Sequence, residues 1–170
     1  MAKARKEGLD AIELLRQDHR KVEDLFKQFE ELKEEDEDAA AEIIEAACAE
    51  LKIHDKLETE IFYPAVREQA EEEEVEDLLN EAEVEHDTVR ELIEKLEGMN
   101  WEDEKLDAHF TVLTEYVKHH VQEEEQEMFP KMKKLKGLDL EALGAEMSER
   151  KTELLEEMGV ESNKEEEETT

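Results

Sequence analysis

The sequence predicts an all-α protein, an antiparallel up-down-up-down four-helix bundle with an extra C-terminal helix. The chain of 170 residues contains only five Gly and two Pro, which leaves few turns for a many-stranded sandwich or barrel. It is 45% charged and rich in Glu, Ala, Leu and Lys, a composition typical of long helices. Its apolar residues recur at alternating steps of three and four. Such a stripe is the packing seam of a left-handed bundle, and the connections between stripes are short.

The first two helices are predicted from two such stripes, separated by an acidic turn at residues 34–38. The first helix runs from about Asp10 to Lys33, and its stripe consists of Ile12, Leu15, Val22, Phe26 and Phe29. The stripe of the second helix consists of Ile44, Ala47, Leu51, Ile61 and Ala65. Pro64 lies near the end of this helix, where its missing N–H and its ring should kink the helix or begin its termination.

The third and fourth helices carry the next two stripes. The third helix follows the acidic run at residues 71–74, and its stripe consists of Val75, Leu79, Ala82, Val89, Ile93 and Leu96. Gly98 is the expected C′ residue of this helix. Asn100, with Asp103 three positions later, is the expected N-cap of the fourth helix. Pro130 falls near the end of the fourth helix, whose stripe consists of Leu106, Phe110, Leu113, Val117 and Met128.

A shorter fifth helix is expected after Gly137. Asp139 can cap its start, it should run through about Met158, and Gly159 can end it. Residues 1–159 are therefore predicted to form a single helical domain, with the bundle at about 9–134 and the C-terminal helix at about 139–158. The acidic tail at 160–170 is too polar to pack, and we expect it to be disordered.

The charge balance excludes several classes of partner. With 22 Lys and Arg against 54 Asp and Glu, the formal net charge is −32 at pH 7. So acidic a surface repels nucleic-acid phosphates and anionic lipid headgroups. No segment approaches the roughly 20 apolar residues of a membrane span, and the first residues lack the apolar stretch of a signal peptide. Because a single cysteine, Cys48, also fits a reducing compartment, we expect a soluble, cytoplasmic protein.

Each of the four long stripes is interrupted by one histidine. The four are His19, His54, His86 and His120, and they stand where a leucine would normally pack. Two of them are followed four residues later, on the same helix face, by a glutamate: Glu58 and Glu124. A buried carboxylate is costly unless it is paired, hydrogen-bonded or bound to a metal. The pattern therefore indicates a metal site in the core.

The histidines belong to an internal repeat. His19, Val22 and Leu25 match His86, Val89 and Leu92 at the same offsets, and His54, Glu58 and Pro64 match His120, Glu124 and Pro130. The chain thus consists of two helix pairs, each supplying one bare histidine and one His-x-x-x-Glu. Folded about a pseudo-twofold axis, the two pairs bring four imidazoles and two carboxylates to the centre of the bundle.

Such a donor set suits iron, manganese, zinc or cobalt rather than calcium. Twofold symmetry indicates two ions, with Glu58 and Glu124 each bridging both. Two six-coordinate metals offer roughly twelve positions, and the imidazoles, the carboxylates and a bridging oxide or hydroxide fill all but about two. The open positions could take oxygen, peroxide or nitric oxide. Zinc fits less well because its structural sites are closed, tetrahedral and sulfur-rich.

At four places the sequence resembles the hemerythrin family, specifically the bacterial hemerythrin-like HHE cation-binding proteins. The segments that carry the resemblance are residues 18–26, 54–64, 85–86 and 119–130, and it extends over about Leu9 to Lys134. The resemblance implies a non-haem di-iron site in a four-helix bundle that binds or reacts with oxygen. By position, it implies the metal ligands His19, His54, Glu58, His86, His120 and Glu124.

The chain departs from the oxygen-carrying hemerythrins at two positions. Those proteins have a second histidine four residues after the ligand of the third helix, where this chain has Arg90. Their last carboxylate is an Asp five residues after its histidine, whereas Glu124 follows His120 by four. The missing histidine either opens a coordination position or admits a substitute, for which Glu23 is the candidate. The resemblance then favours sensing, peroxide chemistry or metal handling over reversible oxygen carriage.

Several alternatives stay open. The main hypothesis is a di-iron protein that binds or senses dioxygen or a related small ligand. Its rivals are a peroxide- or nitric-oxide-reactive enzyme, an iron storage, delivery or regulatory protein with an unknown partner, and a metal-free helical scaffold. Among the other candidates, His119 is expected to lose the ligand role to its neighbour His120, and His109 is expected at the boundary of the core. Tyr116 is expected to pack, although it could donate a proton to the site.

Overall fold

The computed structural model describes residues 8–159 and is entirely helical there, with no strand. Its α-helices are α1 (Ala11–Leu32), α2 (Glu37–Leu57), α3 (Tyr63–Gln69), α4 (Glu73–Glu97), α5 (Leu106–Glu123), α6 (Phe129–Met132) and α7 (Leu140–Glu157). A first π segment (Glu58–Phe62) joins α2 to α3, and a second π segment (Glu124–Met128) joins α5 to α6. The result is five continuous helical rods, which confirms the all-helical prediction. The expected disorder of the tail at 160–170 lies outside the described residues.

Aspartate side chains start three of these helices. Asp10, Asp36 and Asp139 each accept a hydrogen bond from the backbone N–H three residues later, at 2.9, 3.1 and 3.1 Å. Each bond satisfies an N–H that has no partner within its helix. At the other end of α7, Gly159 has φ +67, the left-handed conformation that glycine adopts without strain. The predicted beginning and end of the fifth helix are therefore confirmed.

The predicted start of the fourth helix is wrong. Asn100 does not cap it, because α5 begins only at Leu106. The backbone N–H of Asp103 bonds to the carbonyl of Asn100 at 3.0 Å, and the Asp103 carboxylate accepts from the N–H of Lys105 at 3.0 Å. These bonds close turns rather than a helix. Trp101, in the same segment, packs its ring 6.5 Å from that of Phe29, so tertiary packing favours the turns over an earlier helix start.

Both prolines lie inside a rod. Of the two effects expected of Pro64, termination does not occur at this residue, because the helix continues past it to Gln69. Each proline follows a π segment: the N–H of Tyr63 bonds to the carbonyl of Glu58, and that of Phe129 to the carbonyl of Glu124. A proline lacks an N–H, and its ring crowds the carbonyl four residues earlier. The wider π turn accommodates both effects, since its hydrogen bonds span five residues instead of four.

The rods enclose two apolar clusters with the interrupting histidines between them. In the packing, α1 contacts α2 and α5, α4 contacts α2 and α5, and α7 lies against α1, α2 and the first π segment. One cluster contains Phe26, Phe29 and Phe110, and the other contains Phe62, Phe129, Met132 and Met147. Within residues 8–159, none of the helices has the length and apolar character needed to cross a membrane.

We expect Gly144→Ala to destabilise the protein. A Cβ at Gly144 would lie 2.2 Å from the carbonyl oxygen of Leu9 and 2.7 Å from the carbonyl carbon of Asp10, so α7 would have to move away from the start of α1. Overpacking of this kind costs about 1–3 kcal/mol. Urea unfolding would measure the loss. The control is Gly98→Ala, because a Cβ there would meet only the carbonyl oxygen of Lys95 at 3.6 Å and that of Glu94 at 3.9 Å. Equal unfolding midpoints for the two variants would contradict this packing.

Candidate metal centre

The structure brings together the six residues that the sequence singled out. They are His19 on α1, His54 on α2, Glu58 in the first π segment, His86 on α4, His120 on α5 and Glu124 in the second π segment. All six are buried. Each imidazole directs its Nε2 towards a carboxylate oxygen, and the four distances are 3.1 Å for His19–Glu124, 2.9 Å for His54–Glu58, 3.2 Å for His86–Glu58 and 3.2 Å for His120–Glu124.

The two carboxylates lie between two pairs of imidazoles. Glu124 turns Oε1 to His19 and Oε2 to His120, while Oε1 of Glu58 lies between His54 and His86. The ring centroids of His19 and His54 are 4.8 Å apart, and so are those of His86 and His120. Each pair comes from one half of the repeat, and each glutamate contacts both pairs.

Several buried atoms of the centre have no hydrogen-bond partner within residues 8–159. They are the Nε2 atoms of His19 and His54, both carboxylate oxygens of Glu58, and Oε1 of Glu124. A buried polar atom left without a partner costs about 1–3 kcal/mol, and more when it is charged. Because these atoms are acceptors that face other acceptors, only added protons or a cation can satisfy them together. Imidazole and carboxylate donors fit a divalent transition metal, so the residues present fit a metal centre.

The other ring nitrogen, Nδ1, of each of the four core histidines has a hydrogen-bond partner. Each Nδ1 lies against a carboxylate, and the four pairs are His19 with Glu125 (3.0 Å), His54 with Asp18 (3.2 Å), His86 with Asp55 (2.6 Å) and His120 with Glu85 (3.2 Å). A carboxylate at Nδ1 keeps the proton on that nitrogen and leaves the Nε2 lone pair facing the centre. This is the usual arrangement behind metal-bound histidines.

Cationic side chains hold three of these outer carboxylates in place. The cation–carboxylate pairs are Lys151 with Asp18, Arg90 with Asp55 and Arg20 with Glu125. Arg90 binds both oxygens of Asp55 at 2.7 Å, so the residue that stands in place of a fifth histidine positions His86 through Asp55. Lys151 lies on α7 and reaches Asp18 at 2.5 Å, which connects the C-terminal helix to His54.

The pKa shifts show how strongly the centre attracts positive charge. Burial by itself would lower the pKa of His54, but Glu58 and Asp18 raise that pKa well above its usual value. Burial likewise lowers the pKa of His120, but Glu124, Glu58 and Glu85 together raise that pKa well above its usual value. In return, and against burial, the pKa of Glu58 falls well below its usual value, with the charge of His54 as the leading cause.

Tyr63 is the residue of the centre that the sequence analysis missed. Its hydroxyl donates to Oε2 of Glu124 at 2.5 Å and lies 3.3 Å from Nε2 of His86 and 3.4 Å from Nε2 of His120. Burial and the charge of Glu124 raise the pKa of Tyr63 well above its usual value, so the phenol keeps its proton. The signal was present in the repeat, because an aromatic residue precedes the proline in both halves. In the second half it is Phe129, which stacks on His19 with an interplanar angle of 9°.

The other candidates lie at the surface or apart from the centre. His119 is 63% exposed, whereas His120 is buried. His109 is partly buried, which confirms its expected place at the boundary of the core, and its Nδ1 bonds to the backbone carbonyl of Lys105. Glu23 does not join the six, because its carboxylate pairs with Arg20 at 2.9 Å. The packing role expected for Tyr116 is wrong, since that side chain is 45% exposed.

Cys48 is a buried residue of the apolar core. Burial raises the pKa of its thiol to about 12. The thiol therefore stays protonated near neutral pH, and its reactivity is low because the thiolate is the nucleophile.

A cavity of about 570 Å³ connects the centre with solvent. All four imidazoles contribute to its wall, together with the carboxylates Asp18, Asp55 and Glu85 and the apolar side chains of Val22, Leu51, Val89, Ile93, Val117 and Val121. Exposed residues such as Glu94, Glu97 and Met158 also line it. The cavity therefore gives small molecules a largely apolar route to the four imidazoles.

Comparison with known proteins agrees with this geometry. The model of the hemerythrin HHE cation binding domain matches residues 10–132 of the chain. The crystal structure of a hemerythrin HHE cation binding domain-containing protein from Mycobacterium kansasii is similar, with a TM-score of 0.70 and 22% sequence identity. The likeness covers 86% of this chain and 87% of that one, and at this identity it shows the fold alone. No curated protein matches the chain.

We expect Asp55→Asn to weaken metal binding by about 10–100-fold, since the carboxylates behind metal-bound histidines contribute that much to affinity. The amide would still fill the space between His86 and Arg90, but its charge would be lost. Competition with a chromogenic chelator would measure the affinity. The matched control is Asp87→Asn, because Asp87 also binds Arg90, at 2.7 Å, but is 71% exposed. A similar affinity loss in both variants would show that Asp55 acts only through Arg90.

The metal-free protein should lose stability as the pH rises. The folded-state pKa values of His19, His54, His86 and His120 are raised. The stabilisation from their protonated forms is therefore complete below the unfolded pKa of about 6.5 and is lost as the pH passes through the raised values. Urea midpoints measured with a chelator should fall as the pH rises above about 6.5. With metal bound this decline should disappear, because the metal binds the neutral imidazoles. A midpoint that rises with pH in the chelated protein would contradict the assignment.

Proposed function

The chain belongs to the hemerythrin HHE cation binding domain family, and from this premise we propose that its core holds two non-haem iron ions and binds dioxygen or a related small ligand. The observation that carries the proposal is the buried convergence of four imidazole Nε2 atoms and two carboxylates, several of which have no partner among the described residues. A bridging oxide or hydroxide would complete the centre. We further propose that the four longer rods run antiparallel, up-down-up-down, in one cytoplasmic domain.

His19 and His54 would hold one iron, and His86 and His120 the other. Glu58 and Glu124 would bridge the two, because each carboxylate contacts an imidazole of both pairs. When bound, the iron supplies reversible one-electron chemistry towards oxygen species. Four imidazoles and two carboxylates carry less negative charge than a carboxylate-rich di-iron site, which favours the reduced metal over high-valent states. The donor set therefore supports binding or sensing over hydrocarbon oxidation.

The residues around the centre would orient a small ligand. The apolar wall of the cavity admits a neutral molecule without a cost for stripping its water. Tyr63 holds a proton at its hydroxyl oxygen, close to Nε2 of both His86 and His120. Phe129 presents only a ring face to His19. A ligand that took over the hydrogen bond now donated to Glu124 would thus point its polar end to the His86 and His120 side.

The same tyrosine favours a second candidate function, a peroxide- or nitric-oxide-reactive enzyme. Reduction of peroxide consumes protons, and Tyr63 holds one inside the centre, 2.5 Å from Glu124. Loss of hydrogen peroxide turnover in iron-loaded Tyr63→Phe, at unchanged iron content, would support the enzyme. Absence of turnover in the unmodified protein would leave ligand binding as the function.

The first measurement is the metal content of untagged protein purified without chelators. We expect about two irons per chain, the number that two imidazole pairs around shared carboxylates can hold. His54→Ala should lower the iron content, since it removes one imidazole donor and the contact between His54 and the carboxylate of Glu58. His109→Ala is the control, because His109 is partly buried, bonds to the backbone carbonyl of Lys105 and belongs to none of the candidate metal-ligand groups. Mass spectrometry would give the content, and spectra with oxygen and peroxide would separate binding from turnover. Absence of iron after anaerobic reconstitution with Fe(II) would refute the proposal.

A further inference from the structure

A second cluster of metal-binding side chains lies on the surface beside the centre. It consists of Glu85 on α4 and of His119 and Glu123 on α5. Nε2 of His119 is 3.5 Å from Oε1 of Glu123 and 3.8 Å from Oε2 of Glu85. Two donors that each lie about 2.1 Å from one ion are separated by roughly 3–3.5 Å. The surface cluster is therefore close to coordination geometry before any ion arrives.

The residues of the surface cluster repeat the chelating pair of the core. His119 and Glu123 are four positions apart, as are His120 and Glu124, and one residue corresponds to a rotation of about 100° on an α-helix. One His-x-x-x-Glu pair therefore faces the core and the other faces solvent. His119 is 63% exposed, and the net charge of −32 draws cations to the surface.

Glu85 connects the surface cluster to the centre. Its Oε1 accepts from Nδ1 of His120 at 3.2 Å, while its Oε2 faces His119. Glu85 also lines the cavity that reaches the four core imidazoles. A cation held by the surface cluster would thus be bound by Glu85, whose side chain also lines the cavity that leads to the core histidines.

We propose that Glu85, His119 and Glu123 form a second divalent-metal site, from which the metal enters the core. The destination of the metal rests on the proposed function, whereas binding at the surface does not. The site would take Fe(II) or another borderline divalent ion, because its donors are one imidazole and two carboxylates. Within residues 8–159, no other group of three such side chains lies close together outside the centre.

The experiment compares the unmodified protein with His119→Ala and Glu123→Gln, using Co(II) as the equilibrium probe and Fe(II) for the kinetics. Titration calorimetry should find one binding equivalent fewer in both variants. Stopped-flow absorbance should show that Fe(II) fills the core about tenfold more slowly in both, as expected when a charged entry point is lost. The final iron content of the core should be unchanged. His109→Ala is the matched control, a partly buried histidine of the same helix that lies outside both metal-ligand groups and should behave as the unmodified protein.

The outcomes separate the two proposals. Equal Co(II) equivalents in His119→Ala and the unmodified protein would overturn the surface site. An equivalent that depends on His119, combined with an unchanged rate of core filling, would overturn its role in entry. His54→Ala damages only the core, so the equivalent that depends on His119 should remain in that variant. If the core itself bound no metal, the proposed function would fail while the surface equivalent could still be measured.

Discussion

Four imidazole nitrogens and two carboxylates face one another inside the helical core, and they cannot satisfy one another because nearly all of them are acceptors. Protons or a metal cation must therefore supply positive charge to these six side chains. The surrounding residues hold the six in the orientation that binds such a charge. A carboxylate stands behind each imidazole, and cationic side chains stand behind three of these carboxylates. Even α7 takes part, since Lys151 holds Asp18 behind His54. The apolar core is correspondingly divided into two clusters.

The sequence was sufficient to predict the helices and the six central residues. Buried helix faces require apolar residues at steps of three and four, and an ionisable residue at one of these positions stands out in the sequence. The outer carboxylates could not be predicted in the same way. With 54 acidic residues in the chain, nothing local distinguishes Asp55 from its many counterparts on solvated faces. Tyr63 was missed for a geometric reason. Five residues beyond Glu58 on an α-helix, it would lie about 140° away around the axis, and only the π turn before Pro64 brings it back to the centre.

The two halves of the repeat share the positions of their charged residues but differ in which residue occupies each position. Arg20 and Glu23 follow His19 by one and four residues, and Asp87 and Arg90 follow His86 at the same offsets with the charges reversed. In both halves the arginine reaches across to the carboxylate behind that histidine. The aromatic positions differ more, since one half has a phenol and the other a plain ring. The two halves therefore provide similar metal donors, but a small ligand at the metal would meet a phenol from one half and an apolar ring from the other.

The acidic exterior also sorts the small molecules that arrive at the cavity. The net charge of −32 produces a negative potential around the protein, and this potential lowers the local concentration of anions. At the cavity itself, five acidic lining residues (Asp18, Asp55, Glu85, Glu94 and Glu97) outnumber three basic ones (Lys52, Lys56 and Arg90). Superoxide, nitrite and azide should therefore enter more slowly than neutral dioxygen, nitric oxide or hydrogen peroxide at the same bulk concentration. Added salt would reduce the difference, because it screens the exposed charges. The negative surface therefore selects neutral ligands over anions before either reaches the histidines.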